Sequence, residues 1–271
     1  MTELTLVLGG TGKTGRRVAQ HLADRDRAVR IGSRAGRPPF DWDDLTTWEP
    51  AVQGVTAMYV TYQPDLAFPG AAEQIGAFTK LAVAAGTRRI VLLSGRGEEE
   101  CWPAEDAVRG SGVEWTILRA SWFAQNFSES FLLPSVLAGV VALPSPDVPE
   151  PFIDVADIAA VAAAALTSED HIGRVYELTG PRLVTFAEAT AEIAAATGRP
   201  VRYQPVSVDE YAGAAAEFVG PEAAPAVAAL FAKVLDGRNA SVSPEVERIL
   251  ARPARDFRAV VAEAAKSGAW R

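Results

Sequence analysis

A chain of 271 residues that is 49% apolar can bury a full core, as one large α/β domain or as a main domain with a small lobe. Its formal charge of -8 argues against nucleic acid as a partner, because phosphate backbones demand a basic surface. The single cysteine, Cys101, excludes an internal disulfide framework, and no apolar run approaches the roughly 18 residues of a membrane span, so the expectation is a soluble, cytoplasmic protein with no membrane partner.

The first predicted strand, Leu4 to Leu8, passes straight into "GGTGKTG" and then into a helical stretch from Thr14 to Ala23. Gly9, Gly12 and Gly15 are spaced three apart, and the strand-turn-helix setting raises this pattern above chance as a dinucleotide-binding turn. The three glycines serve different ends, with a tight turn at Gly9, room for a pyrophosphate at Gly12 and close helix-strand packing at Gly15. The helix N-terminus offers unpaired N–H groups and the positive end of its dipole to the phosphates.

The second strand, Ala28 to Ile31, decides which dinucleotide. An acid at its end would hold the free ribose hydroxyls of NAD; here Ser33 and Arg34 stand in that place, with Arg37 close behind. A guanidinium grips a 2′-phosphate that a carboxylate would repel, so the expected cofactor is NADP(H).

Further strands are predicted at Ala57 to Thr61, Arg89 to Leu93 and Glu114 to Arg119. Helices are predicted at about Thr46 to Val52, Ala71 to Ala85 and Ala104 to Arg109. This alternation predicts an α/β protein with a doubly wound parallel sheet, the NAD(P)-binding Rossmann fold. Past Ala120 the prolines Pro134, Pro144, Pro146, Pro149 and Pro151 break the pattern. Residues 1–150 are expected to form the dinucleotide-binding core, and 151–271 its last elements and a smaller C-terminal substrate lobe. "VAAAAL" and "AEIAAATG" read as Ala-rich helices, with Asp154 or Asp157 placed to cap the first. His21 and His171 lie far apart with no ligand cluster near either, so no metal site is expected.

"VLGGTGKTGRRV", "PPFDWDD", "LLSGRGEEE" and "SGVEWTILRASWFAQNFSE" together resemble the NmrA-like branch of the atypical short-chain dehydrogenase/reductases. Within it they are most similar to bacterial relatives of fungal ergot-alkaloid reductases. The likeness runs from Leu4 to about Ala196. It implies that Gly9, Thr11, Gly12, Lys13, Thr14 and Gly15 contact the phosphates, Ser33 and Arg34 the 2′-phosphate, and Asp41 and Trp42 the adenine. It further implies that Thr61, Tyr62 and Gln63, at the end of a fourth strand, lie along the adenine ribose and pyrophosphate. Ser94, with Ser121, Trp122 and Phe123, would approach the nicotinamide.

Ordinary short-chain dehydrogenases pair a tyrosine acid with a lysine four residues later. Four positions after Tyr59, Tyr62, Tyr176, Tyr203 and Tyr211 come Gln63, Leu66, Gly180, Ser207 and Ala215, never lysine. A ketone that accepts hydride needs a proton donor or oxyanion partner, whereas an iminium ion is neutralised by the hydride and needs orientation and a negative field. Glu98, Glu99 and Glu100, read as following a fifth strand, would supply part of that field or simply start a solvated helix.

Trp102, Trp122, Phe123, Phe127 and Phe131 gather around Gln125 and Asn126, a mix suited to a flat apolar or aromatic substrate; the fours spacing of the three phenylalanines equally fits a core stripe. Ser94, Trp122 and Asn126 are the candidate catalytic residues. Two readings follow: an NADPH-dependent reductase acting on an iminium, quinone or similar conjugated acceptor, or a non-catalytic NADP(H)-binding redox sensor like the family's regulatory members. A structural cofactor beside a cyclising or isomerising pocket is a third. The C-terminal stretch from Ser243 reads as amphipathic helices that either cover the pocket or form a homodimer contact.

Overall fold

The computed structural model describes residues 3–271. The first half alternates as the sequence predicts: β1 (Leu4–Leu8), α1 (Gly15–Ala23), β2 (Ala28–Gly32), α2 (Trp48–Val52), β3 (Val55–Val60), α3 (Ala71–Ala84), β4 (Arg89–Gly95), α4 (Trp102–Arg109) and β5 (Glu114–Ala120). Thr61, Tyr62 and Gln63 therefore follow the third strand and Glu98 to Glu100 the fourth, one fewer than expected in each case. No strand forms between β2 and β3, because that stretch is taken up by a loop and the short α2.

The chain continues through α5 (Asn126–Glu129), α6 (Leu133–Leu137), β6 (Val140–Leu143), β7 (Pro149–Glu150), α7 (Val155–Thr167) and β8 (Arg174–Leu178). It ends with β9 (Val184–Thr185), α8 (Phe186–Thr197), β10 (Arg202–Pro205), α9 (Val208–Val219), α10 (Ala224–Val234), α11 (Glu245–Leu250) and α12 (Phe257–Ser267). Two compact units result. One holds residues up to Ala120 with Val155–Leu178 and Glu245–Arg252; the other holds Ser121–Asp154, Thr179–Pro244 and Pro253–Arg271. α7, β8 and α11, all beyond residue 150, complete the first unit, and the stretch from Ser121 already belongs to the second.

The first unit is built on a six-stranded sheet in the order β2-β1-β3-β4-β5-β8, parallel throughout. Leu6, Leu8, Met58, Val60, Ile90, Leu92 and Ile117 are almost fully buried, together with Ile75 and Phe78 of α3. Such near-continuous apolar strands are what a sheet covered on both faces requires. From β1 the chain steps outward to β2 and then returns across β1 to β3. The C-terminal ends of β1 and β3 thus flank the crevice where open α/β sheets bind ligands. β8 escapes the sequence reading because it is an edge strand: Arg174, Val175 and Glu177 are exposed, so it carries no apolar run.

The second unit has two strand pairs, β6 with β10 parallel and β7 with β9 antiparallel. Its core is aromatic. Phe127, Phe152, Phe186 and Phe257 are buried, and Phe152 holds ring centroids of the other three at 5.1 to 5.6 Å. Capping boxes at Thr185/Glu188 and Ser207/Glu210 start α8 and α9. The apolar face of α12 is spent inside this unit, with Phe257, Val260 and Val261 buried and the Trp270 indole donating to the Phe127 carbonyl at 2.8 Å. Among the described residues, no helix is long and apolar enough to cross a membrane.

Candidate functional site

The turn after β1 is shaped by backbone contacts that only glycine permits. Gly9 has φ +60°, and a Cβ there would fall 2.5 Å from Thr61 Oγ1. A Cβ on Gly15 would fall 2.2 Å from the Gly9 carbonyl oxygen, so the first turn of α1 rests directly on the loop. Gly12 differs: its nearest neighbour, the Gly9 carbonyl oxygen, lies at 3.1 Å, and both Gly12 and Thr11 are exposed. Gly9 and Gly15 thus answer to the fold, and Gly12 leaves an open backbone surface. Thr14, the N-cap of α1, makes no side-chain cap and the first turn holds no acidic residue, so the positive end of the helix dipole meets no carboxylate there, while the Arg16, Arg17 and Val18 N–H groups are taken by the Gly12 and Thr14 carbonyls. Lys13 is partly buried, its carbonyl accepting from an Arg17 Nη at 2.7 Å.

The end of β3 is tied to this turn, Thr61 donating its hydroxyl to the Leu8 carbonyl at 3.3 Å. Tyr62 donates to Gln74 Oε1 at 2.9 Å, and Gln63 is exposed. Trp42 does not stand free on a surface. It is 8% exposed, its ring lies 5.0 to 5.8 Å from Phe40, Trp48, Tyr62 and Phe78, and its indole donates to the Thr61 carbonyl at 3.2 Å. The structure makes it a core residue that braces the β3 end. Asp41 beside it is partly buried, its carbonyl accepting from the Trp48 indole at 2.9 Å.

After β2, the Ser33 carbonyl accepts the N–H groups of Gly36 and Phe40, both at 2.9 Å, which folds residues 33–40 into a closed loop. The Ser33 hydroxyl oxygen is buried without a hydrogen-bond partner among the described residues. Arg34 and Arg37 beside it are exposed. An orphaned hydroxyl followed closely in the chain by two exposed arginines is a combination that an anion satisfies.

Ser94, near the end of β4, is 5% exposed and gives its hydroxyl proton to Glu105 Oε1 at 2.8 Å. Glu105, fully buried on α4, also accepts from Arg119 Nε and Nη at 2.9 and 2.7 Å and from Arg109 at 2.9 Å. Ser94 is therefore no idle proton donor; its hydroxyl belongs to a clamp joining β4, β5 and α4.

The three glutamates do not act as one patch. Glu99 and Glu100 are exposed, while Glu98 turns inward until its carboxyl lies where a Gly95 side chain would be: a Cβ there would meet Glu98 Cδ at 2.1 Å. The Cys101 thiol donates to Glu98 Oε2 at 3.6 Å, and acid and thiol groups of Asp65, Glu98 and Cys101 come within 4.8 Å of one another. Burial, reinforced by the Asp65 charge, pushes the Glu98 carboxyl up to about 8. A carboxyl raised in this way is a weaker source of negative field for a cation than an exposed glutamate. Burial also pushes the Cys101 thiol up, as expected of an inert cysteine. Nothing in the residue spacing signals this cluster, because Asp65 reaches it from the loop after β3.

In the second unit, Trp122 packs edge-on against Phe231, Phe186 and Phe131 at centroid distances of 5.1, 5.9 and 6.1 Å. The phenylalanine stripe splits: Phe127 is a core residue at 1% exposure and Phe131 is exposed at 43%. Asn126 is buried at the start of α5, its carbonyl accepting the Leu132 N–H. Trp102 belongs to the first unit, half exposed under the Arg119 guanidinium at 5.6 Å.

No family model matches the chain. The (4-alkanoyl-5-oxo-2,5-dihydrofuran-3-yl)methyl phosphate reductase of Streptomyces griseus subsp. griseus is 34% identical, over 97% of this chain and 99% of that protein. Agroclavine dehydrogenase of Claviceps fusiformis is 28% identical, over 93% and 94%. The NADPH-dependent quinone oxidoreductase of Escherichia coli, solved with NADPH, shares the fold with a TM-score of 0.78 at 22% identity, covering 96% of this chain and 99% of that one. With a 34% identical relative matched along nearly the whole of both chains, this protein belongs to the NmrA-like branch of the atypical short-chain dehydrogenase/reductases.

Proposed function

We propose that this protein is an NADPH-dependent reductase that transfers hydride to a conjugated acceptor without a Tyr-x-x-x-Lys pair. The observation that carries the cofactor is Ser33, whose buried hydroxyl lacks a partner beside the exposed Arg34. A 2′-phosphate answers that hydroxyl and neutralises the guanidinium. The open backbone at Gly12 and the uncapped start of α1 suit the pyrophosphate, with Gly9, Thr11, Lys13, Thr14 and Gly15 forming the turn around it. Thr61, Tyr62 and Gln63 line the cofactor from the β3 end. Asp41 and Trp42 support the adenine side by holding that loop in shape.

Bound NADPH would supply the hydride. The chain itself supplies position: Ser94 fixes the β4 end through Glu105, and Trp122 and Asn126 belong to an apolar, aromatic neighbourhood suited to a flat small molecule. The 5-oxo-2,5-dihydrofuran and quinone in the relatives' names are conjugated carbonyl acceptors, which supports that class here.

Calorimetric titration with NADPH and NADH tests the cofactor. Arg34→Glu should raise the dissociation constant for NADPH about 10- to 100-fold, one to two charge-assisted hydrogen bonds, and leave that for NADH nearly unchanged. Equal losses for both would remove the assignment. A panel of quinones, enones and cyclic iminium compounds, followed by loss of NADPH absorbance, tests turnover. Tight NADPH binding with no acceptor consumed would identify a redox sensor instead.

A further inference from the structure

Tyr59, on β3, carries a hydroxyl that the fold leaves unanswered. The residue is fully buried, and its Oη has no hydrogen-bond partner among the described residues. Its register partners on the neighbouring strands are Val7 of β1 and Val91 of β4, both fully buried, so the sheet sets apolar side chains on either side of it. Burial also pushes the phenol up, so it keeps its proton and can only donate. Other tyrosines use this group: Tyr62 donates to Gln74 Oε1 and Tyr203 to the Ser145 carbonyl, at 2.9 and 2.7 Å, and the Tyr176 hydroxyl meets His171 Nδ1 at 2.9 Å. A phenylalanine would fill the place of Tyr59 without an orphaned donor.

The polar side chain that faces Tyr59 is Thr14, in a contact too loose to be a hydrogen bond. Thr14 is the N-cap of α1, a place where a threonine hydroxyl ordinarily accepts from the first turn of its helix, yet it makes no such bond. It is 6% exposed and lies in the glycine turn, after the backbone left open at Gly12 and before Gly15, which packs on Gly9. Two unspent hydroxyls thus stand one behind the other, Tyr59 in the core and Thr14 in the turn, both within the first compact unit.

We infer that Tyr59 is a positioning residue for the dinucleotide: its O–H donates to Thr14 Oγ1, and the Thr14 O–H thereby points outward and donates to the pyrophosphate. This rests on the NADPH reading above and deepens it, by adding a residue that touches no part of the cofactor. A threonine hydroxyl has one proton and two lone pairs, and its proton turns to suit its surroundings. A donor arriving from the core occupies a lone pair and leaves the proton to face the turn, where a pyrophosphate oxygen accepts it. The same donor polarises the Thr14 hydroxyl and strengthens the bond that it gives. The relay closes when an anion draws the Thr14 proton outward, so Tyr59 adds to affinity, whereas in the free protein its buried, unanswered hydroxyl lowers stability.

The test measures dissociation constants for NADPH and NADH by calorimetry, and Tm of the free protein, for wild type, Tyr59→Phe, Thr14→Ser, Thr14→Val and the double variant Tyr59→Phe/Thr14→Val. Tyr59→Phe should weaken both nucleotides about 3- to 10-fold, the worth of one neutral hydrogen bond, and by the same factor, because the pyrophosphate is common to the two. The free variant should melt no lower than wild type, since it loses only an unpaired hydroxyl; a residue with a merely structural role would not separate affinity from stability in this way. Thr14→Val should weaken both nucleotides about 10- to 100-fold, and Thr14→Ser, which keeps the hydroxyl, should recover most of that. In the Thr14→Val background Tyr59→Phe should change affinity by less than about twofold, because the relay is already broken. Unchanged affinity in Tyr59→Phe, a loss confined to NADPH, an undiminished loss in the Thr14→Val background, or a Tm that falls together with the affinity would overturn the assignment. No heat with either nucleotide from wild type would overturn the cofactor reading itself, and this inference with it.

Discussion

Glu98 and Glu105 sit seven residues apart beside the end of β4, and both carboxyls are drawn inward, yet they reach opposite solutions. Glu105 is surrounded by donors: Ser94 on β4, Arg119 on β5 and Arg109 on its own helix. Ser94 and Arg119 are paired in the β4–β5 register, so one carboxylate clamps two strand ends and a helix. Glu98 accepts a weak thiol hydrogen bond and faces the carboxyl of Asp65. Its proton stays on, with the carboxyl up at about 8. Burial alone does not decide the charge of an acid; the partners it is buried with do.

Removing the clamp should have the largest effect. Glu105→Ala leaves the Arg119 guanidinium, only 21% exposed, and the Ser94 hydroxyl without their acceptor. Breaking such a pair costs about 3–5 kcal/mol, which denaturant unfolding would read as a lower midpoint at unchanged slope. A loss below about 1 kcal/mol would mean that water replaces the carboxylate, and the two glutamates would then be alike.

Glu98→Gln should act in the opposite direction and only above a certain pH. In the unfolded chain Glu98 ionises near 4.5; in the fold it does so at about 8. Between these values the folded state holds a proton that the unfolded state has released, so Glu98 makes stability fall as pH rises through that window. Each unit of difference corresponds to about 1.4 kcal/mol, and a side chain able to swing partly into water realises only a share. The variant should be more stable than wild type by about 2 kcal/mol at pH 9 and no more stable at pH 4. Tm measured across that range reads the difference, and parallel profiles would show that Glu98 is not the group responsible.

The same contrast explains what the sequence reveals. The parallel strands and the glycine turn are legible because each rests on local chemistry, apolar runs and positive φ at Gly9, and Ser33 and Arg34, proposed for the 2′-phosphate, are read the same way, as residues a fixed distance beyond a strand. Even Trp42, assigned by resemblance to the adenine, shows why locality matters, since its packing partners Tyr62 and Phe78 come from distant segments. Glu105 reads as an ordinary helix acid until Arg119 arrives from the next strand. Glu98 reads as the first of three equivalent glutamates, although only it has a glycine to lie upon. β8 and the strand pairs of the second unit are hidden for a related reason, being short or edge elements defined by a neighbour more than by their own pattern.

Gly95 offers a smaller and more selective test, because it changes the position of Glu98 without changing its chemistry. The three nearest atoms to an added Cβ at Gly95 all belong to the Glu98 carboxyl, at 2.1 to 2.3 Å, and none belongs to the backbone. Gly95→Ala should therefore displace a flexible side chain and leave β4 intact. Expelled toward water, Glu98 regains an ordinary acid strength, and the fall in stability between pH 5 and pH 9 should shrink by about 1 kcal/mol. The cost at pH 5 should be under about 1 kcal/mol, because the alanine also restricts the unfolded chain. Combined with Glu98→Gln, the pH effects should not add, since both act on one ionisation. Additive slopes would mean that Asp65 or Cys101, the remaining titratable members of the cluster, carries part of the effect, and the contrast with Glu105 would then belong to the cluster and not to one residue.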